Sequence, residues 1–538
     1  MGSPGRGGGA GVGTGRTGPR AQRQLRADRP RTDGAVVIGG GPNGLAAAIR
    51  LAEAGIEVTV LEQAAELGGA VRSEALTLPG FVHDTFSSVY PAGAASPVFA
   101  RMPLADHGLE WVHPAACMAH PLEDGTAVVL YRDLQATART LDARRRGDGE
   151  RWVTFARPYV EAFDAVRNLM LAGFPPVRGA LRMLQQGGPR TTAGFARLVT
   201  GSAVSLARRL FADGGSRAWL YGTAMHGDAA PDAAGSSIAG VHLTLLGHAV
   251  GWPSPRGGAQ HLTDALVSYL RSLGASVATS ARVDRVTTRG GRVRGVGVAG
   301  GVEIPASAVI ADVMPHALIA MAGDALSGWY RRALQSYVYG PATVKVDWAL
   351  DGVIPWVAPE ARQAGTVHVG GDERAMLESI SEAQTGVPRR PFLLLGQQSV
   401  ADRSRAPEGK HTAWAYTHGP QGMDRALASD EHVEAIERQI ERFAPGFRDR
   451  ILARHVLGPR ALEARNPNLV GGDVGGGSYR LRQAVFRPIP ALSPYRTSVS
   501  GLFLGSAAAF PGAAVHGVPG DAAARAALRD LMAGGTPH

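Results

Sequence analysis

The sequence predicts an α/β fold of two interleaved domains, on three observations. A strand, glycine turn, helix and second strand follow one another at residues 35–62. A second glycine-rich passage from strand to helix lies near the C terminus. The long middle passes from helical to strand-like periodicity. The stretch 35–72 organises the rest. Its apolar run Ala35-Val36-Val37-Ile38 reads as a buried strand, and Gly39, Gly41 and Gly44 give the spacing G-x-G-x-x-G. Pro42 stands where a helix can begin without losing a hydrogen bond. Leu45, Ala46, Ile49 and Leu51 continue that helix, and Gly55 ends it as a left-handed cap. Residues 57–61 form the second strand, with Glu62 at its carboxyl end.

Each part has a physical role in a Rossmann-type unit. Gly39 permits the turn, Gly41 lets the backbone approach a pyrophosphate, and Gly44 allows helix and strand to pack closely. The first turn of the new helix, with Pro42 and Asn43, carries free N–H groups that favour phosphate. Glu62, with Gln63 beside it, can accept hydrogen bonds from the hydroxyls of an adenosine ribose and repels a 2′-phosphate.

Gly68-Gly69 and Arg72 come next, where a plain NAD dehydrogenase has no use for them. In this the stretch closely resembles flavoproteins of the glutathione-reductase-like superfamily. The resemblance implies FAD, with the glycine pair near its phosphates and Arg72 towards the flavin. It also places residues 79–93 beside the ring, which makes His83 and Asp84 candidate neighbours.

Composition limits the function classes. With 538 residues, 45% of them hydrophobic and 19% charged, the chain suits two domains with a large interior. The net charge is +10, but seven arginines against two aspartates within residues 1–33 supply half of it. That Gly/Arg/Pro-rich tail reads as disordered and lacks the apolar core of a secretory signal. Elsewhere the arginines are scattered and no recognition helix is evident, so nucleic acid is not an expected partner. Cys117 is the single cysteine, which excludes an intrachain disulfide and a dithiol redox pair. No His/Cys cluster has zinc spacing, so no metal is expected.

The remaining elements follow in order. Residues 108–131 alternate around Asp124-Gly125 as a hairpin. From Asp148 to about Gly251 apolar residues recur at helical spacing, broken at Gly173–Pro176, Gly187–Pro189 and Gly214-Gly215. Such helices suit a lid over an apolar channel. An amphipathic helix at 260–273 leads into a strand through Val277 and another through Val283. Gly295, Gly297 and Gly300 repeat the glycine spacing inside an alternating hairpin with no helix after it, so no second nucleotide site is expected. Residues 307–312 form a strand. Strands at 343–350, 366–369, 392–395 and 412–417 suggest a sheet with one covered face, beside a charged helix at 431–443. Residues 501–504 are a strand ended by Gly505. A glycine-rich loop then carries His516, Gly517 and Val518 into a C-terminal helix, whose N-terminus could stabilise charge on a reduced flavin.

The whole constellation resembles the phytoene desaturase and carotenoid isomerase-like flavoproteins, and within them the group named pyridine nucleotide-disulfide oxidoreductase domain-containing protein 2. The residues carrying this are Gly39 to Gly44, Glu62, Gly68-Gly69, Arg72, 255–283, 406–411, 468–473 and 501–520. The expected organisation is a tail (1–33), a Rossmann-type, glutathione-reductase-like FAD-binding domain in three parts (34–147, 251–315, 496–538), a helical lid (148–250) and an α+β substrate domain with a mixed sheet (316–495). The resemblance implies that the backbone at Val283 contacts adenine. The expected activity is FAD-dependent dehydrogenation of a hydrophobic, isoprenoid-like substrate, with hydride passing to flavin N5 and oxygen or a quinone as electron acceptor. His516 is the candidate catalytic residue, because an imidazole titrates in the useful range. Two alternatives stay open, a reduced-flavin polyene isomerase and a flavin-binding regulatory protein. No stretch reads as a membrane span, although charge-free residues 233–255 suit a buried helix or contact with a membrane surface. The expected location is the cytoplasm, free or peripheral to a membrane; the resemblance alone implies a mitochondrial alternative.

Overall fold

The structure, a computed structural model, describes residues 34–227 and 229–533. The tail anticipated at 1–33 lies outside the described residues.

Three separate stretches of chain build one five-stranded parallel sheet. Its order is Leu502–Leu504, Ala308–Ala311, Ala35–Ile38, Val58–Leu61 and Ser276–Ala278. Four of the five strands are buried throughout, as expected of a parallel sheet covered on both faces. Helix Pro42–Glu53 makes the crossover between the first two strands in sequence, starts at Pro42 and is followed by Gly55 at φ +78°. Helices Gln260–Ser272 and Val518–Ala533 pack beside it. Residues 283–305 form a separate antiparallel three-stranded sheet. The second glycine repeat lies in it, and no helix begins there.

The second sheet has seven strands, in the order Ile451–Leu457, Ala342–Leu350, His411–Gly419, Leu393–Gly396, Ala364–Val369, Ala116–Pro121 and Ala127–Leu130. It is antiparallel except where Ala364–Val369 runs parallel to Ala116–Pro121. Two expectations change here. The hairpin at 116–130, assigned by sequence to the first nucleotide-binding segment (34–147), completes this other sheet. The sheet is also covered on both faces: strand Ala342–Leu350 is buried at all nine positions. Val344, Val346 and Trp348 enter a hydrophobic core, while Thr343 and Lys345 line a cavity. The polar half of the alternation therefore faces an internal space and not solvent.

Helices between Asp148 and Ala249 lie over the cavity side of this sheet. Trp152, Phe211 and Trp219 anchor them, with Trp152 meeting Trp219 edge-on at 5.2 Å. The break anticipated at Gly187–Pro189 is a kink inside helix Val177–Thr200, where Gly188 takes φ +73° ahead of Pro189.

Candidate active site

At the nucleotide end of the cavity the wall is backbone. A Cβ on Gly69 would lie 3.1 Å from Gly41 Cα, and one on Gly44 would lie 2.1 Å from the Gly39 carbonyl oxygen. The Gly68 N–H donates to the Gly40 carbonyl at 2.9 Å, which ties the two glycine turns together. Glu62 is 8% exposed; its Oε2 accepts the Gly40 N–H at 2.7 Å and its Oε1 the Ala64 N–H at 2.8 Å. The carboxylate is thus held at the end of its strand with lone pairs left for ribose hydroxyls.

Asp312 ends the neighbouring strand. Its Oδ2 accepts the Gly44 N–H at 2.9 Å and lies 3.0 Å from where a Cβ on Gly41 would stand. Burial, opposed by that N–H and reinforced by the Glu62 charge, pushes its carboxyl up to about 7. Asn468 fixes this strand end, donating to the Asp312 carbonyl at 3.0 Å and accepting the Met314 N–H at 3.0 Å.

Further along, the wall is side chain. Arg72 donates to the Arg465 carbonyl at 3.4 Å and lies 5.7 Å from the centroid of the Phe86 ring. Lys345, 3% exposed, is ion-paired with Asp347 and donates to the Asp84 carbonyl at 3.0 Å. Its Nζ lies 5.6 Å from the centroid of Trp414, whose ring runs parallel to Tyr416 at 5.8 Å. Burial, opposed by Lys345, takes the Asp347 carboxyl up to about 6. His83 lies 3.7 Å from Asp347, and burial, with Lys345 nearby, takes it down to about 3. Asp84 is bonded to Arg405 at 2.9 Å, and Arg405 to Asp402 at 3.1 Å, all three buried. Across the sheet, His226 Nε2 meets His368 Nε2 at 3.0 Å. Burial drives both imidazoles down, His226 to about 4, so the contact joins two neutral rings, one donating and one accepting.

Among these groups Glu62, Asp312, Asn468, Arg72, Lys345 and His226 line one cavity of about 1190 Å³ that runs from Gly41 and Glu62, past Arg72 and Lys345, to Phe174 and Phe195 among the lid helices, while His83, Asp84, Asp347, His368 and Arg405 stand behind its wall. Four buried polar atoms on its wall, Asn43 Oδ1, Arg72 Nε, His242 Nε2 and Thr366 Oγ1, have no protein partner, the first two towards the glycine cradle. Together with the glycine-only cradle those two fit a dinucleotide.

Of the residues singled out by sequence, Gly39, Gly41, Pro42, Asn43, Glu62, Gln63, Gly69, Arg72, Val283 and His516 line the cavity. Gly44, Gly68, Gly505, Gly517 and Val518 stand behind its wall. Gly505 donates its N–H to the Ala311 carbonyl at 2.9 Å, and a Cβ on Gly517 would lie 2.8 Å from that of Ala46; both are packing positions. The helix beginning at Val518 does not present its first N–H to the cavity, because His516 Nδ1 accepts it at 3.2 Å. Gly520 instead packs against the first helix, where a Cβ would overlap the Asn43 carbonyl oxygen. The expectation of a titrating His516 also fails: burial, with His242 nearby, takes the ring down to about 4, so it stays neutral. Sequence reasoning missed Asp312, Asn468, Lys345 and the His226–His368 pair. Asp312 carried a signal, an acid at the end of a parallel strand, whereas His226 and His368 are 142 residues apart with no motif between them.

The model of flavin containing amine oxidoreductases matches residues 43–527. The chain belongs to that family. It is an FAD-dependent oxidoreductase with the mixed α/β fold of amine-oxidase-type flavoenzymes. A rat relative, pyridine nucleotide-disulfide oxidoreductase domain-containing protein 2, is 28% identical over 553 residues, covering 94% of each chain. Hydroxyneurosporene desaturase of Cereibacter sphaeroides is 27% identical over 530 residues, 92% of this chain and 97% of its own. Among solved structures, putrescine oxidase bound to putrescine has the same fold, with a TM-score of 0.58 and 16% identity over 93% of this chain and 98% of that one. Among the described residues, no helix of this flavoprotein is long and apolar enough to cross a membrane.

Proposed function

We propose that the protein dehydrogenates a long, apolar, isoprenoid-like substrate, using a glutathione-reductase-type site for FAD. FAD, when bound, supplies the hydride acceptor for forming a carbon–carbon double bond, the accompanying proton leaving to a base or water. The observation that carries this reading is the continuity of the cavity: one space joins the glycine cradle to a chamber walled by residues such as Leu169, Met183, Phe195, Ile238 and Leu243. Carotenoid desaturase relatives of near-full coverage support the same substrate class.

The chain's own groups divide the work. Gly41 and Gly69 leave room for a pyrophosphate, Glu62 takes ribose hydroxyls, and Asn43 and Arg72 offer their unpartnered polar atoms to the cofactor. The lid excludes water from the apolar chamber. His226 and His516 line the cavity and burial holds both neutral, His226 being hydrogen-bonded to neutral His368 through their Nε2 atoms, so the released proton leaves to water.

The test is anaerobic mixing of holoprotein with a long polyisoprenoid hydrocarbon, followed by flavin absorbance. Bleaching within the first turnover is expected, and a polyamine should leave the flavin oxidised. A flavin that polyamines reduce and isoprenoids do not would overturn the reading.

A further inference from the structure

His83, a candidate neighbour of the flavin by sequence, stands one layer behind the cavity wall, and its two nitrogens face opposite ways. Nδ1 lies 3.7 Å from Asp347 Oδ1, and Nε2 lies 2.7 Å from Thr77 Oγ1. Asp347 is in turn ion-paired with Lys345, which lines the cavity. Four groups therefore follow one another from the cavity outwards: Lys345, Asp347, His83 and Thr77. The middle two are sealed, Asp347 being 0% and His83 2% exposed. Thr77 is half-buried, and the residues after it, Leu78, Pro79 and Gly80, are exposed.

The chemistry of this row suits the passage of a proton. Asp347 keeps its second oxygen, Oδ2, without a protein partner. Burial, opposed by Lys345, takes its carboxyl up to about 6, so it can hold and release a proton near neutral pH. Burial and the nearby Lys345 keep the His83 ring neutral, with one proton to place. With that proton on Nε2 towards Thr77, the bare Nδ1 faces Asp347. An imidazole so placed can accept on one nitrogen as it gives up a proton from the other. The other charged groups near Asp347 are themselves paired, Asp84 with Arg405 and Arg465 with Glu74. His455 lies opposite Asp347 on strand Ile451–Leu457.

We propose that Lys345, Asp347, His83 and Thr77 form a proton path from the cavity to solvent. A proton from cavity water binds Lys345 Nζ as Nζ hands one of its own to Asp347. The carboxyl proton passes to His83 Nδ1 while the Nε2 proton leaves to Thr77 Oγ1, and the threonine hydroxyl proton goes to bulk water. One proton enters, one leaves, and no electrons move. That the proton carried is the one lost in dehydrogenation rests on the proposed function; the path itself does not.

The experiment therefore uses no substrate. Holoprotein, reduced without oxygen, is mixed in weak buffer near neutral pH with ferricyanide, which takes electrons and no protons, and with phenol red. Two ferricyanide ions remove the electron pair, and the proton on flavin N5 is set free in the cavity. Flavin absorbance reports the oxidation, and the dye reports the proton's arrival in bulk water. In wild type the two signals should coincide. In His83→Ala and in Asp347→Asn the dye should lag the flavin by about 100-fold. Added imidazole should close the gap in His83→Ala, and flavin content shows that each variant is folded. If the alanine variant loses its flavin, His83→Gln replaces it, and the lag decides. A dye signal that keeps pace with the flavin in either variant overturns the path. So does a lag in His83→Ala that imidazole leaves unchanged, the result of a purely structural loss. A lag in His455→Phe equal to that in His83→Ala also overturns it. An intact path in a protein whose flavin no isoprenoid reduces overturns the substrate reading alone.

Discussion

At the nucleotide end of the cavity the wall is mostly main chain. Gly39, Gly44 and Gly69 are held by backbone contacts closer than a side chain allows, a Cβ on Gly41 would stand 3.0 Å from Asp312 Oδ2, and Glu62 is fixed by two backbone N–H groups. At the other end the wall is side chain, drawn from lid helices and from the polar face of a seven-stranded sheet. The buried lysine on it, Lys345, is held by Asp347, and behind the wall Arg405 is held by Asp84. A site made of backbone has few sequence solutions, because only glycine supplies that space. A site made of side chains has many, because any fold that brings the partners together will serve.

The contrast can be broken most forcefully at Gly44. Gly44→Ala puts a Cβ 2.1 Å from a backbone oxygen that cannot move aside, so the purified protein should carry no flavin, as read by its absorbance per chain. Lys345→Met tests the other end. It leaves Asp347 buried without its cation and should cost about 3–5 kcal/mol in urea unfolding of the apoprotein.

Asp312 sharpens the comparison through pH. Its folded carboxyl is raised to about 7, so between about 4 and 7 the folded state holds a proton that the unfolded chain has released. Wild-type stability therefore falls relative to Asp312→Asn as pH rises through that window, and the difference levels off above it. Thermal unfolding of the two apoproteins across pH 4–8 checks this; parallel curves would remove Asp312 from the account. Glu62→Gln loses one charge-assisted acceptor and should weaken FAD binding by about tenfold, measured by titration of apoprotein. The smallest effect on FAD is expected at Ile238→Trp in the lid chamber. Flavin content should not change, while bleaching by a long isoprenoid slows.

The cradle could be read from the chain because its signals are local. The strand, the glycine spacing, Pro42 at the helix start and Glu62 at the next strand end all fall within the 28 residues from Ala35 to Glu62, where steric rules leave little choice. The groups on and behind the rest of the wall had no such signature. Lys345, Asp347, His226 and His368 are ordinary residues in strands and helices, and Asp84 and Arg405 are 321 residues apart. Whether the polar half of Thr343–Leu350 met water or an internal chamber depended on the helices laid over it. The place of the 116–130 hairpin depended on a parallel pairing with Ala364–Val369. His516 shows the same limit: the expected residue does line the cavity, but burial decided that its ring stays neutral, with Nδ1 accepting the Val518 N–H. The sequence by itself determined where a dinucleotide could lie, because backbone sterics act between near neighbours. Only the tertiary structure decided what faces it, because burial and charge pairing are properties of groups brought together from distant parts of the chain.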